Sequence, residues 1–325
     1  MVSVRGVYDL PAIIAVTVDV RDAVFKTRIG EVEATLFLPQ SLVAASPLPA
    51  IYPAAMTDIL ARNDSFNHPF GWALPAPNES RSWMHLRRVG VELQHANPDE
   101  IATPTGSLGS NWDELSPGQR LNRAALSAID DWFDLVRTWL EIQTKQDLDH
   151  KSHVSPVHLP GKTLRSHVDG EWISNDIYEV GDLSRPPATP QQLKIAFDRA
   201  GESAEPPIEH LLARDARATF ARNDLRRAAV DAGTTVEVIL NQVYIANMDS
   251  LHRETMSQDR RNLKSLRDAL SEVNVHFDTR LETVIGARNG AAHQGEEPTM
   301  GEIEACLNFM EEMLSKHGRN EQLQA

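Results

Sequence analysis

The apolar residues change period along this chain, and that change limits the folds open to it. Near the N-terminus they alternate with polar residues: Val16, Val18 and Val20, then Val32, Ala34, Leu36 and Leu38. Alternation of period two marks strands with one buried face. Beyond residue 206 the steps are three and four instead, as in Leu225, Ala229, Val236, Leu240 and Val243. That spacing puts the apolar residues on one side of a helix. A chain that keeps the two periods in separate stretches reads as α+β. The expected architecture is a β-rich N-terminal domain with one long helix, followed by an all-α helical bundle.

The boundaries follow from composition. The 325 residues suffice for two domains with cores of their own. A third strand is expected over residues 89–94, and Ser116-Pro117 opens a long helix, with proline at its first position. Leu121, Ala125, Ile129, Trp132, Val136 and Trp139 form the apolar stripe of that helix. Two short strands are expected on either side of Asp169-Gly170. The pieces SRPPATPQQ and GESAEPP then enclose one short helical stretch, residues 193–199. Proline-rich sequence of this kind reads as a connection between domains. The division expected is therefore an N-terminal domain over 1–180, a linker over 181–205, a helical domain over 206–318 and a tail over 319–325. Within the helical domain, Asn223 or Asp224 caps a long second helix. Gly233 interrupts that helix at a cost of about 1 kcal/mol against alanine, which the close approach of another helix would explain.

Charge and composition exclude some roles. The net charge of −14 argues against a protein that coats duplex DNA with a broad basic face. Between residues 206 and 295, however, Arg plus Lys and Asp plus Glu stand at twelve each. Local RNA binding therefore stays open, although most of those arginines read as solvated helix faces. No apolar run has the length of a membrane span, so no membrane partner is expected. The N-terminal residues read as a strand and not as a signal peptide. Cys306 is the single cysteine, which rules out an internal disulfide, and the expected location is cytoplasmic.

The stretch Arg288-Asn289-Gly290-Ala291-Ala292-His293 carries the strongest chemical signal. A guanidinium is a planar fork that matches phosphate oxygens and keeps its charge. An imidazole exchanges protons near neutral pH. Together they supply what metal-free phosphoryl transfer needs. On an unbroken helix the two side chains diverge by about 140°. Gly290 can leave helical angles and bring His293 back. A twofold mate, pooling groups from two copies, is the alternative.

This segment resembles the signature of the HEPN superfamily: arginine, a polar residue, a short spacer and histidine. The helix NDLRRAAVDAGTTVEVILNQV, residues 223–243, is similar to the family's early helix, and the motif falls between the last two long helices. The resemblance covers roughly residues 206–318 and departs from the signature at none of the three motif positions. It implies a metal-independent endoribonuclease that cuts RNA by 2′-hydroxyl attack, with no cofactor. It also implies a homodimer with its site at the interface. His293 would act as general base or acid, Arg288 would hold the phosphate, and Asn289 would donate to phosphate or orient the histidine. Glu237 would pair with Arg288 and fix its direction. A bacterial defence or toxin setting fits that class. The family also includes non-catalytic modules for dimerisation or partner binding, and a nucleotide sensor gripping a phosphate through Arg288 is a further alternative. On the residues alone, Arg288 at a helix C-terminus and Asn289-Gly290 as a helix-ending pair are ordinary structural features.

Other constellations carry less. His150 and His153 have a ligand-like spacing, but Pro156 and Pro160 mark an irregular loop and no cysteine joins them, so no metal site is assigned. Asp130 and Asp131 read as the solvated face of the long helix. The ligand or partner of the N-terminal domain stays unknown.

Overall fold

The computed structural model describes residues 4–39, 73–75, 83–94, 117–148, 165–168, 171–174, 185–247 and 262–323. The fold is α+β. The chain divides into two compact units, Met1–Glu205 and Pro206–Ala325.

The first unit is built on an antiparallel sheet. Its strands are β1 (Val4–Thr17), β2 (Val24–Ile29), β3 (Val32–Phe37), β4 (Ala73–Pro75) and β5 (Trp83–Leu93). The order is β1-β5-β3-β2, with β4 also on β5. The expected alternation over Val32, Ala34 and Leu36 becomes the buried face of β3, whereas that over Val16, Val18 and Val20 needs correction: β1 ends at Thr17, residues 18–20 form a 3₁₀ turn, and the buried face of β1 lies upstream in Tyr8, Leu10, Ala12, Ile14 and Val16. β5 runs well upstream of the expected 89–94. Its buried apolar side chains are Met84 and Leu86, then Val89, Val91 and Leu93, so the parity flips midway. The flip lies opposite a register shift on β1 between Asp9 and Ile14, a bulge that holds Pro11.

Helix α1 (Pro117–Thr144) buries Trp132, Phe133, Val136, Trp139 and Leu140. Asp130 accepts a hydrogen bond of 2.6 Å from the Tyr8 hydroxyl, which ties the exposed face of the helix to β1. Past the helix end, Gln146 accepts from Ala15 N and donates to the carbonyls of Ala15 and Pro186. Strands β6 (Arg165–Val168) and β7 (Glu171–Ser174) form a separate antiparallel pair.

The expected linker over 181–205 needs correction where it is described. Ala188 exchanges backbone hydrogen bonds with Ala15 and Thr17 of β1. Thr189 then caps helix α2 (Pro190–Gly201) through a reciprocal capping box with Gln192. Phe197 stacks on Trp132 at 5.4 Å and meets Phe25 edge-on at 5.1 Å, while its carbonyl accepts from the Thr27 hydroxyl. Trp139 Nε1 donates to Ala204 O at 3.0 Å. The prolines start a helix that completes the first unit's core.

The described elements of the second unit are all helical, and its α-helices are α3 (Ile208–Ala221), α4 (Leu225–Ala246), α5 (Leu263–Glu272), α6 (Arg280–Asn289) and α7 (Met300–His317). Helix α4 packs against the other four. Their shared core includes Val236, Ile239, Leu240, Leu270, Leu281 and Phe309. Asp224, not Asn223, caps α4 by accepting from Arg227 N, while Asn223 takes a positive φ of 59° in the turn before it. The sequence pattern predicts a helix over residues 257–273, and its start lies outside the described residues. The tail expected over 319–325 also needs correction: Arg319 clamps the fully buried Glu209 of α3 with two side-chain hydrogen bonds of 2.9 and 2.7 Å and a third from its backbone N–H at 3.1 Å, and residues 320–323 form a 3₁₀ turn.

Candidate functional site

Helix α6 lies along α4, and one stripe of α4 makes the contact. Arg226, Val230, Gly233 and Glu237 stand at steps of four, three and four, so they share a face. At Gly233 the two helices are in close contact. A Cβ built on it would stand 2.7 Å from Arg288 Cδ, 2.8 Å from its Cβ and 2.9 Å from its Cγ. The bare α-carbon is therefore the bed on which the arginine's aliphatic stem lies.

One turn further along α4, Glu237 receives the head of that side chain. Arg288 Nη2 is 2.9 Å from Glu237 Oε2, with each side chain about a quarter exposed, at 23% and 24%. The approach is out of line with the N–H bonds. Glu237 Oε2 and Arg288 Nε are covered and make no hydrogen bond. A covered polar atom without a hydrogen bond costs about 1–3 kcal/mol. The pair is thus a close ion pair with hydrogen-bonding capacity to spare.

After Asn289 the winding loosens into a π-helical turn, Gly290–Gln294. Such turns close through i→i+5 bonds and occur often at functional sites. Here Gly295 N–H and Glu296 N–H both donate to Gly290 O. Gly295 ends the turn at φ 70°, a conformation open to glycine at little cost. The sequence pointed to a helix that breaks at Gly290; the helix widens there instead. Closing over five residues lowers the rotation per residue, so His293 turns back toward the Arg288 side relative to an ideal α-helix.

Ala291 fastens the turn from beneath, packed with Ala228, Ala229 and Ile303. Arg226 fastens it from the side, donating from Nε to Ala291 O at 2.8 Å. Asn289, Ala292 and His293 face outward and are exposed. Neither Asn289 nor His293 has a side-chain hydrogen bond among the described residues.

The structure therefore brings Arg288 and Glu237 together and places Asn289 and His293 on the outer side of the same helix end. It does not bond the histidine to the arginine within one chain. Neighbouring charges are engaged elsewhere. Arg227 donates to Asp231, whose pKa is raised by burial against the opposing effect of that arginine. Arg217 pairs with Glu311 at 2.7 Å. Arg226 is the residue that sequence reasoning missed. It sits among several arginines and reads as a solvated face, but its register with Gly233 and Glu237 marks the seam. His150 and His153 lie outside the described residues. No protein-family model, curated protein or solved structure matches the chain.

Proposed function

We propose that the helical unit is a HEPN-type module that cuts RNA without a metal, with Arg288, Asn289, His293 and Glu237 as its working residues. One observation carries this reading: a guanidinium laid over Gly233 and aimed by Glu237, at the end of a helix whose next turn exposes a histidine.

The chemistry follows from the groups. His293 takes the proton from a ribose 2′-hydroxyl, and the oxygen attacks the adjacent phosphorus. The bond to the 5′-oxygen breaks, and that oxygen leaves with a proton. The products are a 2′,3′-cyclic phosphate and a free 5′-hydroxyl. Arg288 offsets the charge that builds on the phosphate oxygens, as oriented donors do in the transition state. Asn289, exposed beside it, donates to the same group. Glu237 holds Arg288 in place before RNA arrives. A homodimer about the exposed face of α6 would present two such sets to one strand, supplying an acid as well as a base. The first unit would then recognise the ligand or partner that licenses cutting, as in a defence or toxin setting.

The test uses single-stranded RNA in EDTA. The purified protein is expected to cut it and leave 2′,3′-cyclic termini, and to spare an oligonucleotide with 2′-deoxyribose throughout. Cutting that needs an added metal, or that proceeds on the deoxy strand, overturns the mechanism.

A second reading has its own support. Arg288 is engaged within the chain and His293 makes no hydrogen bond among the described residues, which also suits a non-catalytic dimerisation or partner-binding module. That reading expects a stable dimer and intact RNA in the same assay.

A further inference from the structure

Arginines of the helical unit mostly meet carboxylates: Arg217 meets Glu311, Arg227 meets Asp231, Arg267 meets Asp268 and Glu282, and Arg280 meets Asp278 and Glu312. Arg226 differs. Its one hydrogen bond runs from Nε to a backbone carbonyl, that of Ala291, and it has no ion pair among the described residues. The side chain is exposed, so its charge is neither cancelled nor covered. The bond holds the guanidinium at Nε and leaves Nη1 and Nη2, the edge that grips phosphate oxygens two at a time, without a hydrogen bond among the described residues.

Its position is equally specific. Ala291 lies in the turn that carries His293, so Arg226 is anchored to that turn's own backbone. It also shares the α4 stripe with Gly233, seven residues away, or about 10 Å along the helix axis. That offset is too great for Arg226 and Arg288 to hold one phosphate, and it suits a neighbouring phosphate of the same strand.

We propose that Arg226 is a second RNA-binding residue, a pre-oriented fork for a backbone phosphate flanking the one that Arg288 engages. The inference rests on the RNA-cutting reading above and assigns that site a subsite and a direction for the strand along α4. Such a contact contributes affinity and register rather than chemistry, and it belongs to the backbone-positioning class.

The test measures binding of full-length protein to a single-stranded RNA made uncuttable by 2′-O-methylation, across a range of salt concentrations. Arg226→Gln is the informative variant, because its amide can still donate to Ala291 O and keep the turn in place while the charge is gone. It is expected to weaken binding about tenfold at low salt. It is also expected to lower the slope of log affinity against log salt by about 0.7, the value for one phosphate contact to a single strand. Arg226→Lys is expected to restore the slope without the full affinity, since lysine keeps the charge and loses the fork. An unchanged slope in Arg226→Gln overturns the proposal whatever happens to thermal stability, because a merely structural role moves melting and not counterion release. Absence of wild-type binding overturns it too. Binding with the expected slopes but no cutting of ordinary RNA leaves Arg226 in place and sinks the cleavage reading instead.

Discussion

The aliphatic stem of Arg288 rests on Gly233, so close that the smallest side chain there would fall within 2.9 Å of three of its carbons. Gly233→Ala therefore sets two effects against each other. Alanine gains up to about 1 kcal/mol of helix propensity. Overpacking costs about 1–3 kcal/mol, and the nearest atoms include Arg288 Cβ, which moves only if α6 moves. A net loss of stability is expected, with RNA cutting reduced because the guanidinium is displaced. Gly286 is the control: it lies inside α6, and a Cβ on it would meet nothing within 4 Å. Gly286→Ala should stabilise by about 0.5–1 kcal/mol. Urea melts of the two variants check the opposite signs.

The Glu237–Arg288 pair should behave as a unit. Arg288→Ala is expected to reduce cutting about 10²–10³-fold, as loss of a transition-state donor does. Glu237→Gln should cost less, about tenfold, by freeing Arg288 from its aim. The two changes combined should cost less than the product of the separate effects, a coupling of about 1 kcal/mol or more. Strictly multiplicative losses in a double-mutant cycle would show that the carboxylate does not act through the arginine.

How far the fold was legible depends on which residues spoke with one voice. The helices of the second unit repeat at clean helical steps, and Gly233 announced a close approach without revealing that a side chain made it. β5 was half hidden because its buried set changes parity between Leu86 and Val89, a consequence of the bulge opposite, which no local pattern encodes. The linker was misread because Thr189-Pro190, a helix cap followed by proline, is written in the same residues as a connector. At the site, Arg288 and Glu237 are 51 positions apart, and a functional resemblance suggested the pair where periodicity had no means to. Arg226 stayed hidden because its partner is a backbone carbonyl, and backbone partners leave no complementary residue to find.

Helix α2 contributes to the stability of the first unit. Phe197 lies between Trp132 and Phe25, and it is 4% exposed. Phe197→Ala is expected to destabilise the first unit by about 3–5 kcal/mol. A connector residue would change nothing, so the melt of the first unit decides between them.

Acid should loosen the end of the second unit. Burial alone would raise the Glu209 pKa, but hydrogen bonds from Arg319 outweigh it and hold the carboxyl at about 2, below the ordinary 4.5. A carboxylate held low contributes stability that is complete above its unfolded pKa and is lost as the pH falls through the folded value. Arg319→Ala is expected to cost about 3 kcal/mol at neutral pH, since it strands a buried charge. The gap between variant and wild type should narrow from pH 4.5 toward 2. A gap that stays constant across that range would place the stabilisation somewhere other than this ion pair.

In the proposed mechanism His293, carried outward by the π-helical turn next to Arg288, moves the proton in RNA cleavage. The most direct measurement compares single-turnover cutting of one RNA in EDTA by wild type and by His293→Ala. His293 is exposed and makes no hydrogen bond among the described residues, so its loss should leave the melting temperature unchanged. The rate is expected to be lower by about 10²–10⁴-fold in the variant. Equal rates in the two proteins, or intact RNA in both, would contradict it.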